Sequence, residues 1–151
     1  RLVAHALVLL FTLGGTPSIY AGDEQGFRGI KEDRVGGDDA VRPAFPASPD
    51  LLSPLGRSLF VLHQELIGMR RRNPWLHRAT TRVEHLANEQ LVYTVSAGDD
   101  ALVVALNLAD EPASMPIPNA TGVSCGAASL SASGPSAAAV VPAWGWVVLT
   151  T

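Results

Sequence analysis

The side chains able to do chemistry gather in one polar stretch, from Gly22 to about Asp50. It opens on the adjacent carboxyls Asp23-Glu24. Further on it runs Gly36-Gly37-Asp38-Asp39-Ala40-Val41-Arg42-Pro43-Ala44-Phe45-Pro46, with Arg42 four residues after Asp38. Two carboxyls work on one bond from opposite sides of it, and adjacent residues rarely converge in that way. Asp23 and Glu24 therefore read as residues that fix loop geometry or bind at a rim. A carboxylate and a guanidinium can pair with each other, or accept from and donate to the hydroxyl groups of a ligand. An exposed Asp–Arg pair that merely staples a loop is common and worth little. A one-residue shift would give Asp39 the carboxylate role. Elsewhere the candidates are bland. His5, His63, His77 and His85 show no metal-ligand spacing, nothing resembles a nucleophile elbow, and Gly26-x-x-Gly29 and Gly36-Gly37 lack the Lys-Ser/Thr of a phosphate loop.

Around this stretch the chain must supply rigid elements. Residues 2–13 are apolar almost all round and read as a helix buried on all sides and capped by Gly14. The run falls short of the roughly 20 apolar residues that cross a membrane, and Gly14-Gly15-Thr16-Pro17 makes a poor leader cleavage site. With no initiator Met, the sequence reads as a piece of something longer. Residues 16–21 predict a short buried strand bounded by glycines, which tolerates Pro17 near its start. The polar loop follows. Ser53-Pro54 then signals a helix start, and Leu55, Leu59, Leu62 and Leu66 recur at helical spacing, with Phe60, Ile67 and Met69 widening the face. Arg70-Arg71-Arg72 occupies the last turn and reads as a solvated helix end that suits the dipole. Asn73-Pro74 ends the helix.

Beyond Arg78 the period changes to two. Strands are expected over 81–86, 91–96, 101–108 and 144–149, with Asn88-Glu89, Gly98-Asp99-Asp100 and Asp110-Glu111-Pro112 as turns. The Ser/Ala/Gly-rich region 119–136 offers one or two weak strands. This half predicts an antiparallel two-sheet sandwich with a buried face.

The segment Gly15-Thr16-Pro17-x-Ile19-Tyr20-x-Gly22-Asp23-Glu24-x-Gly26 closely resembles the eighth-strand segment of the α-amylase family, glycoside hydrolase family 13. The resemblance is strong over residues 14–46, fair over the following helix, and architectural beyond Arg78. It implies an α+β fragment: a helix–strand–helix remnant of a (β/α)8 barrel over residues 1–78, then an antiparallel β-sandwich domain over 79–151. In the family, an Asp and an Arg four residues on, with a Pro four further, hold a donor-side sugar, and here these fall on Asp38, Arg42 and Pro46. The family's nucleophile, acid/base and transition-state-stabilising Asp come from earlier barrel strands. None of them would lie in this chain, and Asp23-Glu24 is not that pair. The implied parent reaction is retaining cleavage or transfer at an α-glucosidic bond through a covalent glycosyl-enzyme intermediate.

The implied partner is an α-glucan or maltooligosaccharide-type substrate, with no cofactor and no metal. The 151 residues carry a net charge of −3, and Lys31 is the one lysine among eleven basic residues, so nothing electrostatic supports a nucleic-acid partner. No membrane partner is expected. Cys125, alone, cannot form an internal disulfide and says nothing positive of an oxidising compartment; location stays open, the cytoplasm slightly favoured. Two rival readings stand. In one, the β domain is a non-catalytic carbohydrate-binding or interaction module whose Trp144 and Trp146, two apart on one sheet face, stack on sugars, although such aromatics more often fill a core or cover a domain joint. In the other, the chain is a remnant without ligand. Tyr20 is expected to pack, the alternative being that it lines the sugar site. Residues 2–21, stripped of barrel neighbours, are expected to self-associate or lose order.

Overall fold

A computed structural model describes residues 2–41, 44–131 and 137–151. The chain forms two compact units, Arg1–Pro17 with Leu66–Thr151, and Ser18–Glu65. These cut the chain elsewhere than the 78/79 boundary read from the resemblance.

Among the described residues, the larger unit is built on eight strands: β1 Thr80–Ala87, β2 Gln90–Ala97, β3 Asp100–Asn107, β4 Ala113–Pro116, β5 Gly122–Gly126, β6 Ser129–Leu130, β7 Ala138–Val141 and β8 Trp146–Thr150. Five form an antiparallel sheet in the order β1-β2-β3-β8-β5, and three form a second sheet, β4-β7-β6. Val92, Val103, Ala105, Val147 and Leu149 of the first sheet share a buried cluster with Met115, Ala139 and Val141 of the second. This is the sandwich expected from the alternation, and the class is α+β with mostly antiparallel sheets.

The sheet is buried more deeply than period two implies. Leu102 through Leu106 are all 2% exposed or less, so both faces of β3 are dry. The second face meets α1, Val3–Thr12, whose Thr12 Oγ1 lies 2.6 Å from the buried Tyr93 hydroxyl on β2. Burial pushes the Tyr93 phenol well above its ordinary pKa, so this is a bond between neutral hydroxyls. At the other end of α1, buried His5 places Nε2 3.0 Å from the Asn107 carbonyl and 3.1 Å from that of Gly145. Both acceptors are carbonyls, so Nε2 carries the proton.

Several expectations are corrected. Residues 16–21 form no strand, because a strand exists through its ladder and no other strand lies beside them among the described residues. The helix α1 is buried on one side only, with Leu2 and Val3 about half exposed. It is not capped by Gly14. The chain leaves through Leu13 in extended conformation, and Gly14 is needed for closeness, since a Cβ there would stand 2.3 Å from the Ala79 carbonyl oxygen. The last strand begins at Trp146. Trp144 sits in the preceding turn at φ 54°, so the two tryptophans share no strand face. The sequence also hid β4 and β7, which are short and rich in Ala and Ser.

The end of α2, Pro54–Arg72, is not simply a solvated cationic turn. Arg71 and Arg72 are exposed, but Arg70 folds back across the end of α1. Its Nη1 donates to the carbonyls of Phe11 at 2.7 Å and Leu13 at 3.0 Å, and its Nη2 donates to that of Gly15. One guanidinium thus satisfies carbonyls that a helix end leaves open. Replacing Arg70 by Met should lower unfolding stability by about 2 kcal/mol, as expected for charge-assisted bonds to carbonyls. Arg70→Lys should recover less than half, because an ammonium cannot span three acceptors as a planar fork does. Chemical denaturation of the three proteins checks this; equal midpoints would refute it.

Candidate functional site

The polar loop lies wholly in the Ser18–Glu65 unit, and close backbone contacts fix its course. Gly22, at φ 103°, and Gly26, at φ 65°, bracket a single helical turn, Asp23–Gln25. Glu24 holds that turn: its Oε2 accepts the Gly22 N–H at 2.9 Å and its Oε1 accepts Gln25 Nε2 at 3.0 Å. The turn seats on the first turn of α2. A Cβ on Gly56 would meet the Gln25 carbonyl oxygen at 2.3 Å, and one on Gly26 would meet the Gly56 Cα at 3.4 Å. Ser53 Oγ accepts the Gly56 N–H at 3.2 Å with Pro54 opening the helix, as the sequence predicts.

Further along, Gly29 crosses the backbone of Ala40 so closely that a Cβ there would stand 1.9 Å from its carbonyl oxygen. Gly37 is equally confined beside Glu32, whose N–H donates to the Gly37 carbonyl at 3.1 Å. Asp38 therefore stands on a tightly folded loop, at the edge of an open concavity of about 610 Å³ lined by residues 31–39. Its Oδ1 lies 3.3 Å from Lys31 Nζ, both side chains well exposed, so the pair contributes little stability. Asp39 begins a short turn, Asp39–Val41, and its N–H donates to Gly36. Arg42, the expected partner of Asp38, lies outside the described residues.

The structure thus places Asp38 where a ligand can reach it and gives it a cation, Lys31, that sequence reasoning did not single out. The signal was available in the one lysine of the chain, seven residues before Asp38. Tyr20, expected to pack, is 57% exposed. Asp23 and Glu24 do not converge on a reacting centre; Glu24 is spent on its own turn. Among the described residues, no group of three or more His, Cys, Asp or Glu could hold a metal ion, and no helix is long and apolar enough to cross a membrane.

Partial burial pushes the Glu24 carboxyl up, but the bonds from Gln25 and from backbone N–H groups, with His63 nearby, outweigh it and leave the pKa below the usual carboxylate value. A lowered folded value means that folding favours the ionised form. The stabilisation is then complete above the ordinary carboxylate pKa, about 4.3, and is lost as pH falls through the lowered value. Melting curves between neutral pH and roughly pH 3 should show Glu24→Gln losing less stability on acidification than the wild type. Parallel pH profiles would refute this role.

With this geometry in view, the fold can be set beside known proteins. No family model matches the chain. Solved enzymes do share its fold. The debranching enzyme from Nostoc punctiforme matches with a TM-score of 0.76 and 24% identity, over 99% of this chain and 30% of its own. The trehalulose synthase MutB from Pseudomonas mesoacidophila MX-45 matches with a TM-score of 0.71 and 18% identity, over 98% of this chain and 38% of its own. A MutB mutant in complex with the substrate sucrose matches at 0.73 and 18%, with the same coverage. Both enzymes are of the α-amylase family, the family that the segment ending in Gly22-Asp23-Glu24-x-Gly26 resembles. At these identities the shared property is the fold, and the chain spans less than two fifths of either enzyme's length.

Proposed function

We propose that this chain is part of an α-amylase-family glycosidase or transglycosidase that acts on α-glucosidic bonds of oligo- or polysaccharides with retention. The observation that carries the reading is a coincidence of two independent signals. The fold of nearly the whole chain is that of part of two such enzymes, and the residues of the family-like motif fall on the loop that the fold presents. In this reading residues 1–78 belong to the barrel and 79–151 to the domain after it. Asp38 and Arg42 contact a sugar, with Asp38 accepting from its hydroxyls and Arg42 donating to them. The nucleophile and the acid/base lie outside the chain. Asp23 and Glu24 cannot replace them, since two carboxyls serving one bond with retention stand ~5–5.5 Å apart across it and Glu24 is bonded into its own turn. The pure 151-residue chain should therefore release no product from maltooligosaccharides or an aryl α-glucoside. Turnover that follows the protein through purification would overturn the reading.

A binding module built on paired tryptophans finds no support in the placement of Trp144, which lies in a turn and not on the strand of Trp146.

Self-association belongs to the same reading. Leu2, Val3 and Leu13 on α1 are each more than a third exposed, an apolar surface suited to burial against another chain. Sedimentation velocity should show mass rising with concentration, and Leu2→Glu with Val3→Lys should return it to monomer. Monomeric behaviour of the wild type at every concentration would dismiss the idea.

A further inference from the structure

The loop unit holds a second recess, separate in lining from the Asp38 concavity. It is an open cleft of about 530 Å³, lined by residues 25–28, by Ala44 and Pro46, and by residues 51–53 and Leu55. That volume is within the range of small-ligand pockets, roughly 300–1,000 Å³. Phe27 lines it, half-buried, its ring tilted against that of Phe45 with centroids 5.5 Å apart. Arg28 also lines it, is exposed, and has no ion pair or hydrogen bond among the described residues. Gln25 gives its amide N–H to Glu24, which leaves its Oε1 to accept. Among the described residues, the wall contains no carboxylate.

Two contacts tie this cleft to the Asp38 segment. Gly29, next to Arg28, lies against Ala40 and Val41, where a Cβ would stand 1.9 Å from the Ala40 oxygen and 2.8 Å from the Val41 Cα. Ala44 and Pro46, just beyond that segment, also line the cleft. The two recesses are thus consecutive along one tightly folded loop.

We propose that this cleft is a second sugar subsite, which takes a further pyranose ring of an oligosaccharide whose first ring is held at Asp38 and Arg42. The inference rests on the reading of those two residues as sugar contacts. A pyranose has an apolar C–H face and a rim of hydroxyls. Phe27 offers a flat apolar surface to the face, and Arg28 and Gln25 offer planar donors and an acceptor to the rim. The cleft is open to solvent, so a ring carried on a longer chain can enter it. With no carboxylate to grip it, the ring adds affinity to a chain already bound and does not bind tightly alone.

Calorimetric titration of the 151-residue chain with glucose, maltotriose and maltopentaose tests this. The longer sugars should bind better than glucose. Phe27→Ala and Arg28→Ala should each cut that gain by roughly fivefold and leave glucose unchanged. Asp38→Ala should weaken all three sugars together. Arg28 is exposed and makes no bond among the described residues, so its truncation reports binding and not folding, and circular dichroism checks Phe27→Ala. A gain with length that survives both variants, or no gain in the wild type, overturns the subsite. So does glucose 6-phosphate binding that exceeds glucose binding and depends on Arg28, which would make the cleft an anion site. No binding of any glucan overturns both the subsite and the sugar reading beneath it. Asp38→Ala with unchanged glucose affinity overturns that underlying reading by itself.

Discussion

The larger unit depends on how the carbonyl end of α1 is satisfied. A helix end with open carbonyls against a packed sheet leaves groups that must find donors. Three carbonyls, those of Phe11, Leu13 and Gly15, converge on the guanidinium of Arg70. A single planar fork with five N–H groups does what a glycine cap would do in a freestanding helix. It also joins the end of α1 to the end of α2 from a distance of more than fifty residues in sequence. Partial burial lowers the pKa of Arg70, yet a guanidinium stays charged under all ordinary conditions, so the clamp does not switch with pH.

With that end fixed, α1 can serve as the cover of the second sheet face. Its opposite end is anchored by His5 against the Asn107 and Gly145 carbonyls. Asn107 is itself fully buried, and its Nδ2 meets the carbonyls of Glu111 at 2.8 Å and Pro142 at 2.9 Å while its Oδ1 accepts the Ala109 N–H. A buried polar group without partners would be costly. Here the amide organises the turns after β3 and before β8, and the unusual φ of Trp144 occurs beside it, with the Trp144 N–H donating to Ala109. At the same end as the Arg70 clamp, Thr12 bonds the Tyr93 hydroxyl. Polar groups at both ends of an otherwise apolar helix therefore set its register on the sheet, which dispersion and area burial alone specify only loosely.

Legibility in the sequence followed the range of the physics. Period-two runs from residue 81 to 108 revealed β1, β2 and β3, because each strand's alternation and the turns that bound it are written in its own residues. Ser53-Pro54 marked the start of α2 for the same local reason. What failed was non-local. Residues 16–21 have the composition of a buried strand, but composition cannot supply the neighbouring strand that makes the ladder. Arg70 looked like a dipole-complementing surface charge because its acceptors lie far away in sequence. Strands β4 and β7 carry few large side chains and are defined by pairing to each other. The burial of both faces of β3 from Leu102 to Leu106 was invisible because the cover of its outer face comes from elsewhere in the chain. Within the loop, the Lys31–Asp38 pair went unread although the one lysine of the chain lies seven residues before Asp38, since a salt bridge between loop positions has no period.

The glycines of the loop explain why a segment so polar can hold a defined shape. Loops of this length generally lack a core of their own. This one replaces side-chain packing by backbone-to-backbone approach at Gly56–Gln25, Gly29–Ala40 and Gly37–Glu32, each too close for any Cβ. Exposed ion pairs such as Lys31–Asp38 and Arg34–Glu32 add little to this. Apart from Glu24, which holds its own turn, the course of the loop is therefore set by backbone approach more than by charge. Contacts between backbones survive changes of salt that would screen an exposed ion pair, so the loop keeps its shape where pairs such as Lys31–Asp38 would not by themselves hold it.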